Sequence, residues 1–495
     1  MTNAVNTNQI QLITYVDRLS GGKIKDLHRL MNGQLAELFD GVHLLPFYPP
    51  IDGEDAGFDP NDHTAVDSRL GTWQDIEALA KDYPIMADMI VNHMSAQSPQ
   101  FLDVLQHGAS STYWPLFLTR EKVFGAKPDT TDISAIYRPR PTPCFTDITL
   151  ANGQIVPFWT TFTANQIDID VNSEPGKAYL QAILQRFTDH GVKYIRLDAA
   201  GYAIKKAGTN CFMLPETFDF IAQLSEQARA RGMTCLVEIH GYHKTQIEIA
   251  KRCDMVYDFA LPPLVLHTLF SRNAQALKTW LDIAPRNCIT VLDTHDGIGI
   301  VDAADHNGEP GLLNDPELDA LVEKIHQNSK GSSKLATGNA ANNVDLYQVN
   351  CSFYDALGQD DSHYLLARAI QLFCPGISQI YYGGLLAAEN DVTLLQRTGV
   401  GRDINRPYFN QDTVNVALQK PVVKALLNLI KLRRSMQAFN GSFSQSLTDD
   451  SYQLSWQHQG QSASLTLALS KLTATLSWQN EGAAPEHIVL NSLLA

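Results

Sequence analysis

Apolar residues in this chain follow two rhythms, and their order predicts the fold. Eight short β-rich runs stand out: "QLITYVD" (11–17), "GVHLLPF" (41–47), "PIMADMIV" (84–91), "KYIRLDA" (193–199), "TCLVEIH" (234–240), "DMVYDFA" (254–260), "CITVLDT" (288–294) and "ISQIYYG" (377–383). Between them lie amphipathic stretches such as "KAYLQAILQRFTDHG", "PETFDFIAQLSEQARARG" and "KTQIEIAKRC". Strand–helix alternation makes a parallel sheet, and eight such units predict an α/β fold closed into a (β/α)8 TIM barrel. An open doubly wound sheet is the alternative, but no GxGxxG follows the first strand.

Two gaps break the rhythm. The first, after the third strand, is rich in Pro, Thr and aromatics ("IYRPRPTPCFTDITLANGQIVPFWTTF") and predicts an inserted lobe. The second, after the seventh strand, is rich in Gly, Asn and Asp ("HNGEPG", "ATGNAANN"). Long segments at the C-terminal ends of barrel strands usually carry function. Beyond "KPVVKALLNLIKLRRSMQAF" the pattern changes to short polar–apolar alternation ("SYQLSWQH", "SASLTLALS", "TATLSWQ"), which predicts an antiparallel β domain. The expected division is a barrel from 1–91, 173–297 and 359–439, a lobe from 92–172, a second insertion from 298–358 and a β domain from 440–495.

Composition narrows the function. With 44% apolar and 18% charged residues the chain reads as an ordinary globular protein. A net charge of -15 argues against nucleic acid or an anionic membrane as the main partner. Any anion must therefore be held by a local arginine site. Seven scattered cysteines without a CxxC pair read as thiols of a reducing compartment, so a cytoplasmic protein without a zinc site is expected. No signal peptide and no apolar run of about 18 residues is seen.

The candidate chemistry lies at three strand ends. Asp198, Glu238 and Asp296 close the fourth, fifth and seventh runs, and a barrel gathers such groups at one mouth. Arg196 shares a strand face with Asp198, roughly 7 Å away along the strand, so its guanidinium can hold Asp198 ionised. An anionic acid suits a nucleophile, and an acid crowded by other carboxylates suits a proton donor. A purely structural Arg–Asp pair is the competing reading.

"MADMIVNH", "YIRLDAAGY", "CLVEIH" and "TVLDTHDG", in this order, resemble the four signature regions of the α-amylase superfamily of retaining α-glycosidases. "GFDPNDHTAVD", "IYRPRP", "YDFALPPLVLHTL", "NNVDLYQVN" and "GRDINRPYF" resemble its sucrose phosphorylase branch, a similarity running from about residue 8 to residue 440. The resemblance implies Asp198 as nucleophile, Glu238 as general acid and base, and Asp296 as a stabiliser of the distorted sugar. It implies His93 and His295 on glucose hydroxyls, with Asp55 and Arg402 closing the far end of the glucose pocket. Phe58, Phe162 and Gln166 are further candidates against the sugar; for the two phenylalanines an ordinary core role stays open.

For phosphorolysis an anion site must stand beside the glucosyl-enzyme. Arg140 is the candidate, with a guanidinium suited to bidentate phosphate binding, and Tyr347 resembles a family residue that moves with its loop to bind phosphate. Tyr137, Tyr202, Ile239, Asp345, Leu346 and Gln348 are candidate contacts of the fructose side. Arg138 is expected to be solvated loop charge. Pro139 and Leu346, where relatives acting on phosphorylated substrates would carry a basic residue or histidine, are uncharged, which favours unphosphorylated fructose. The expected partners are sucrose, phosphate, glucose 1-phosphate and fructose, with no metal or cofactor. The resemblance also allows a homodimer. A hydrolase or a phosphorylase of a related α-glucoside, or a sugar-binding barrel without catalysis, are the alternatives.

Overall fold

The computed structural model describes residues 8–125, 130–138, 142–338 and 348–495. Eight parallel strands form a closed barrel: β1 (Ile10–Thr14), β2 (Gly41–Leu44), β3 (Ile85–Ile90), β4 (Tyr194–Asp198), β5 (Thr234–Val237), β6 (Met255–Asp258), β7 (Cys288–Thr290) and β8 (Ile377–Tyr381). Each lies within one of the predicted runs, apart from the first residue of β1, and β1 pairs with both β2 and β8, so the open sheet is excluded. The observed strands are shorter than the runs, each ending one to four residues early.

Alternation sets the two faces of every strand. On β4, Ile195 and Leu197 join the apolar layer under the helices, while Tyr194 packs with Met86, Leu236, Tyr257 and Ile289 inside the barrel. The helix Glu174–Asp189 shows why the helical stretches fold as they do. Ser173 accepts from the Gly176 amide at its start, Pro175 occupies its first turn, and Leu180, Ile183, Leu184 and Phe187 form its buried stripe. Each such buried Leu or Ile side chain contributes about 1.5–3 kcal/mol.

Between β3 and β4, His93–Ser95 pairs antiparallel with Gln166–Asp168, and Phe145–Thr149 pairs with Ile155–Trp159. Lys205 ties this segment to the mouth, with Nζ 2.8 Å from both Asp168 Oδ2 and Asn92 Oδ1 and bonded to the Tyr202 carbonyl. After β7, Ile298–Gly299 pairs with Gln348–Val349, and the helices Asp315–Asn328 and Ser332–Thr337 lie between them. The chain ends in a five-stranded antiparallel sheet running from Ser442 to Val489. It docks through Trp456, whose Nε1 donates to the Phe373 carbonyl at 2.8 Å. Among the described residues no helix is long and apolar enough to cross a membrane.

Candidate active site

The three acids of the strand ends do meet in one pocket at the barrel mouth. Asp198 is the last residue of β4, Glu238 follows β5, and Asp296 lies in the turn after β7; all three line the same cavity. A left-handed turn at Ala199 (φ 55°) bends the chain sharply after Asp198, and the Ala199 amide donates to Glu238 Oε2 at 3.4 Å.

Arg196 sits beneath this pair and does not serve Asp198 alone. Its Nη1 is 2.7 Å from Asp198 Oδ1 and 2.6 Å from Asp88 Oδ1, and its Nη2 is 3.9 Å from Glu238 Oε1. Asp88 is also held by His43 Nε2 at 3.0 Å; burial alone would raise its carboxyl, but His43 and Arg196 keep it at about 2. Burial raises Asp198 above the usual carboxylate range, with Arg196 opposing and Glu238 and Asp88 adding to the rise. Arg196 thus compensates the buried charge only in part, so the expectation that it holds Asp198 ionised is not met: burial outweighs the guanidinium. One carboxylate and one acid is the charge state a retaining pair requires.

The end of the pocket around Asp296 and Asp55 is built from ion pairs. Asp296 Oδ1 is 2.7 Å from Arg402 Nη1 and 3.7 Å from Arg406 Nη2; burial would raise its pKa, but the Arg402 and Arg406 guanidiniums hold it far below the carboxylate range. Asp55 is 3.6 Å from Arg406 and 4.0 Å from Arg402. His295 stacks on Phe58 with ring centroids 4.7 Å apart, and His93 Nε2 lies 2.9 Å from the Phe58 carbonyl oxygen. Burial keeps both imidazoles neutral, with His295 lowered to about 3. Neutral imidazoles both donate and accept, as sugar hydroxyls require. Gln166 Nε2 reaches the same carbonyl at 3.4 Å, and its buried Oε1 has no hydrogen-bond partner among the described residues.

Phe162, which packs on His93 at a ring-centroid distance of 5.4 Å, and Tyr202, Phe212 and Ile239 also line the pocket. Tyr202 packs on Phe162 and Phe212 at centroid distances of 5.2 and 4.7 Å. Tyr137 is not on the pocket wall; it stacks on Phe212 at 4.5 Å from behind. Gln348 bridges the two ends, its Oε1 accepting from Arg402 Nη2 at 3.4 Å and from the Gly297 amide at 3.3 Å. Arg140, Asp345, Leu346 and Tyr347 lie outside the described residues. Glu238, His240 and Asp296 offer ligand atoms within 4.8 Å of one another, the one such grouping of three among the described residues, and all three line this pocket.

Similarity to known proteins carries this geometry further. Residues 35–296 match the family model for the α-amylase catalytic domain. The chain belongs to the α-amylase family. It is 56% identical to the sucrose phosphorylase of Agrobacterium vitis over 473 residues, covering 95% of this chain and 97% of that one. It is 47% identical to the sucrose phosphorylase of Bifidobacterium adolescentis, covering 97% of each chain. The solved sucrose 6F-phosphate phosphorylase from Thermoanaerobacter thermosaccharolyticum superimposes with a TM-score of 0.91 at 35% identity, covering 99% of each chain.

Reasoning from the sequence missed several residues that this α-amylase-family site uses. Asp88 carried a signal, since it is a charge inside an apolar run, as Arg196 is. The strand register places the two directly opposite each other. Arg406 lies four residues after Arg402 in the same motif and is 1% exposed. Phe212, His240 and Asp302 had no comparable mark, because a single aromatic, histidine or aspartate in a loop is common.

Proposed function

We propose that this chain is a sucrose phosphorylase, transferring the glucosyl unit of sucrose to inorganic phosphate with net retention and releasing α-glucose 1-phosphate and fructose. The observation that carries the reading is the junction of Asp198 and Glu238 over Arg196, in a pocket whose glucose end is closed by Asp55, Arg402 and Arg406. The near full-length identity to two sucrose phosphorylases supports phosphate as acceptor.

Asp198 attacks the anomeric carbon while Glu238 protonates the departing fructosyl oxygen. In the second half Glu238, now a base, takes the proton from the incoming phosphate, and the bond to Asp198 breaks. Asp296 stabilises the distorted ring, and His93, His295, Phe58, Phe162 and Gln166 hold the glucose. Tyr137, Tyr202, Ile239, Asp345, Leu346 and Gln348 are assigned to the fructose side, and Arg140 and Tyr347 to phosphate, on the sequence resemblance. The insertions at 92–172 and 298–358 are then lobes that furnish the acceptor side. Seven free cysteines support a cytoplasmic location.

Sucrose incubated with and without phosphate tests the reading. Phosphate-dependent fructose release with matching glucose 1-phosphate is expected. Equal rates in both, with glucose as the sole sugar product besides fructose, would mean a hydrolase. Preference for sucrose phosphate, glucosylglycerol or glucosylglycerate in a parallel panel would reassign the substrate.

A further inference from the structure

Beside the acid Glu238, and unused in the mechanism above, lies a buried His–Asp pair. His240 lines the pocket, two residues beyond Glu238, with its Nε2 3.7 Å from Glu238 Oε1. Its Nδ1 is 2.9 Å from Asp302 Oδ2, and Phe259 covers the ring face at 3.8 Å. Asp302 has no exposed surface and comes from a different segment, the one following β7. Its second oxygen, Oδ1, accepts from the Gly241 amide at 3.0 Å and from Gln246 Nε2 at 2.7 Å. Asp302 therefore fixes both the tautomer and the orientation of the imidazole: Nδ1–H donates to the carboxylate, and Nε2 faces Glu238 and the acceptor space.

Nε2 also lies 3.1 Å from Gln348 Nε2. With Gln348 Oε1 accepting from Arg402 and Gly297, its amide N–H donates to a neutral His240. An anion arriving in the acceptor space changes the balance. Burial alone would lower the basicity of His240, but Asp302 and Glu238 outweigh it and the net shift is upward. A protonated His240 presents Nε2–H to a phosphate oxygen in place of the Gln348 amide. Water gains nothing comparable, because it brings no negative charge.

We propose that Asp302 is a positioning residue for acceptor choice, holding His240 so that its Nε2 favours phosphate over water as the group that takes the glucosyl unit. The proposal rests on the phosphorolytic reading of the site. In the step concerned, a phosphate oxygen attacks the anomeric carbon, the bond to Asp198 breaks to leave its carboxylate, and the phosphate proton passes to Glu238. His240 gives up no proton; it binds the anion.

Asp302→Asn tests this, because its side-chain oxygen can still accept from Gly241 and Gln246 while its NH2 opposes Nδ1–H. With sucrose as donor and inorganic phosphate as acceptor, kcat/KM for phosphate should fall roughly tenfold to hundredfold, the size of one charge-assisted hydrogen bond. The rise should fall mainly in KM for phosphate, and the share of free glucose among products should increase. Asp302→Glu should restore part of the loss. In a His240→Gln background the Asn substitution should add little, since Asp302 acts through the imidazole. Proportionate loss of phosphorolysis and hydrolysis, or additive losses in the double variant, would overturn the proposal. If Asp302→Asn does not fold, His240→Gln carries the test, and an unchanged product share there overturns it. Wild-type protein that makes no glucose 1-phosphate would instead defeat the phosphorolytic reading itself, and this proposal with it.

Discussion

On the side of the pocket proposed to hold glucose, Asp296 and Asp55 are gripped by Arg402 and Arg406 in ion pairs of 2.7 to 4.0 Å, and neutral His93 and His295 stand beside buried Phe58. On the side proposed for the acceptor, Tyr202, Phe212, Ile239, Gln348 and the His240–Asp302 pair offer rings, an amide and one titratable imidazole. The first wall pairs its charges within itself, which suits the one glucose proposed to bind there. The second keeps its polarity adjustable, as a site must when it receives a neutral fructosyl group and then an anion. Rigidity belongs where the substrate is constant, and adaptability where it changes.

Substitutions at the shared centre should have the largest effect. Asp198→Asn should cost about 10⁴-fold or more in kcat for every acceptor, because no covalent intermediate can form. Asp296→Asn should cost about 10²- to 10³-fold, since it removes charge stabilisation that matters most in the transition state. Steady-state rates with sucrose and phosphate check both, and equal losses for phosphorolysis and hydrolysis would place both residues on the side common to the two reactions.

Asp88→Asn separates charge supply from contact with sugar. Asp88 raises the Asp198 carboxyl, so its removal leaves more of the Arg196 charge to Asp198 and lowers that pKa. The limb of the pH profile of kcat/KM that reports Asp198 should move to lower pH. Stability should fall as well, by about 3–5 kcal/mol, because a buried partner of Arg196 is lost. Asp88 is held at about 2 against an ordinary 3.8, so its share of wild-type stability is present above about pH 4 and is lost as pH falls toward 2. Acid titration followed by circular dichroism measures that loss.

Arg402→Ala should raise KM for sucrose by roughly tenfold and let longer glucosides enter, while the ratio of phosphorolysis to hydrolysis changes little. A change in that ratio would mean that the two walls are not independent, through Gln348. Tyr137→Ala should have the smallest effect, about two- to fivefold in KM for fructose in the reverse reaction, since Tyr137 reaches the pocket only through Phe212 and Tyr202.

The barrel was legible because strand and helix periods alternate cleanly, and because acids at the ends of "YIRLD", "LVE" and "LDTHD" converge once the barrel closes. Asp198 beside Arg196 could be read from one strand. The sharing of Arg196 with Asp88 could not, because it depends on the register between β3 and β4. The Asp302–His240 bond spans 62 residues and joins two loops, a pairing that no local period encodes. What lies along one strand is visible in the sequence, and what lies between elements awaits the fold.

Asp198 and Glu238 are proposed to pass one glucosyl unit from sucrose to phosphate through two displacements. Following sucrose and phosphate by proton and phosphorus NMR, with the anomeric coupling of the first-formed product resolved, tests this most directly. α-Glucose 1-phosphate should appear in step with fructose. First-formed β-glucose 1-phosphate, or glucose release indifferent to phosphate, would contradict it.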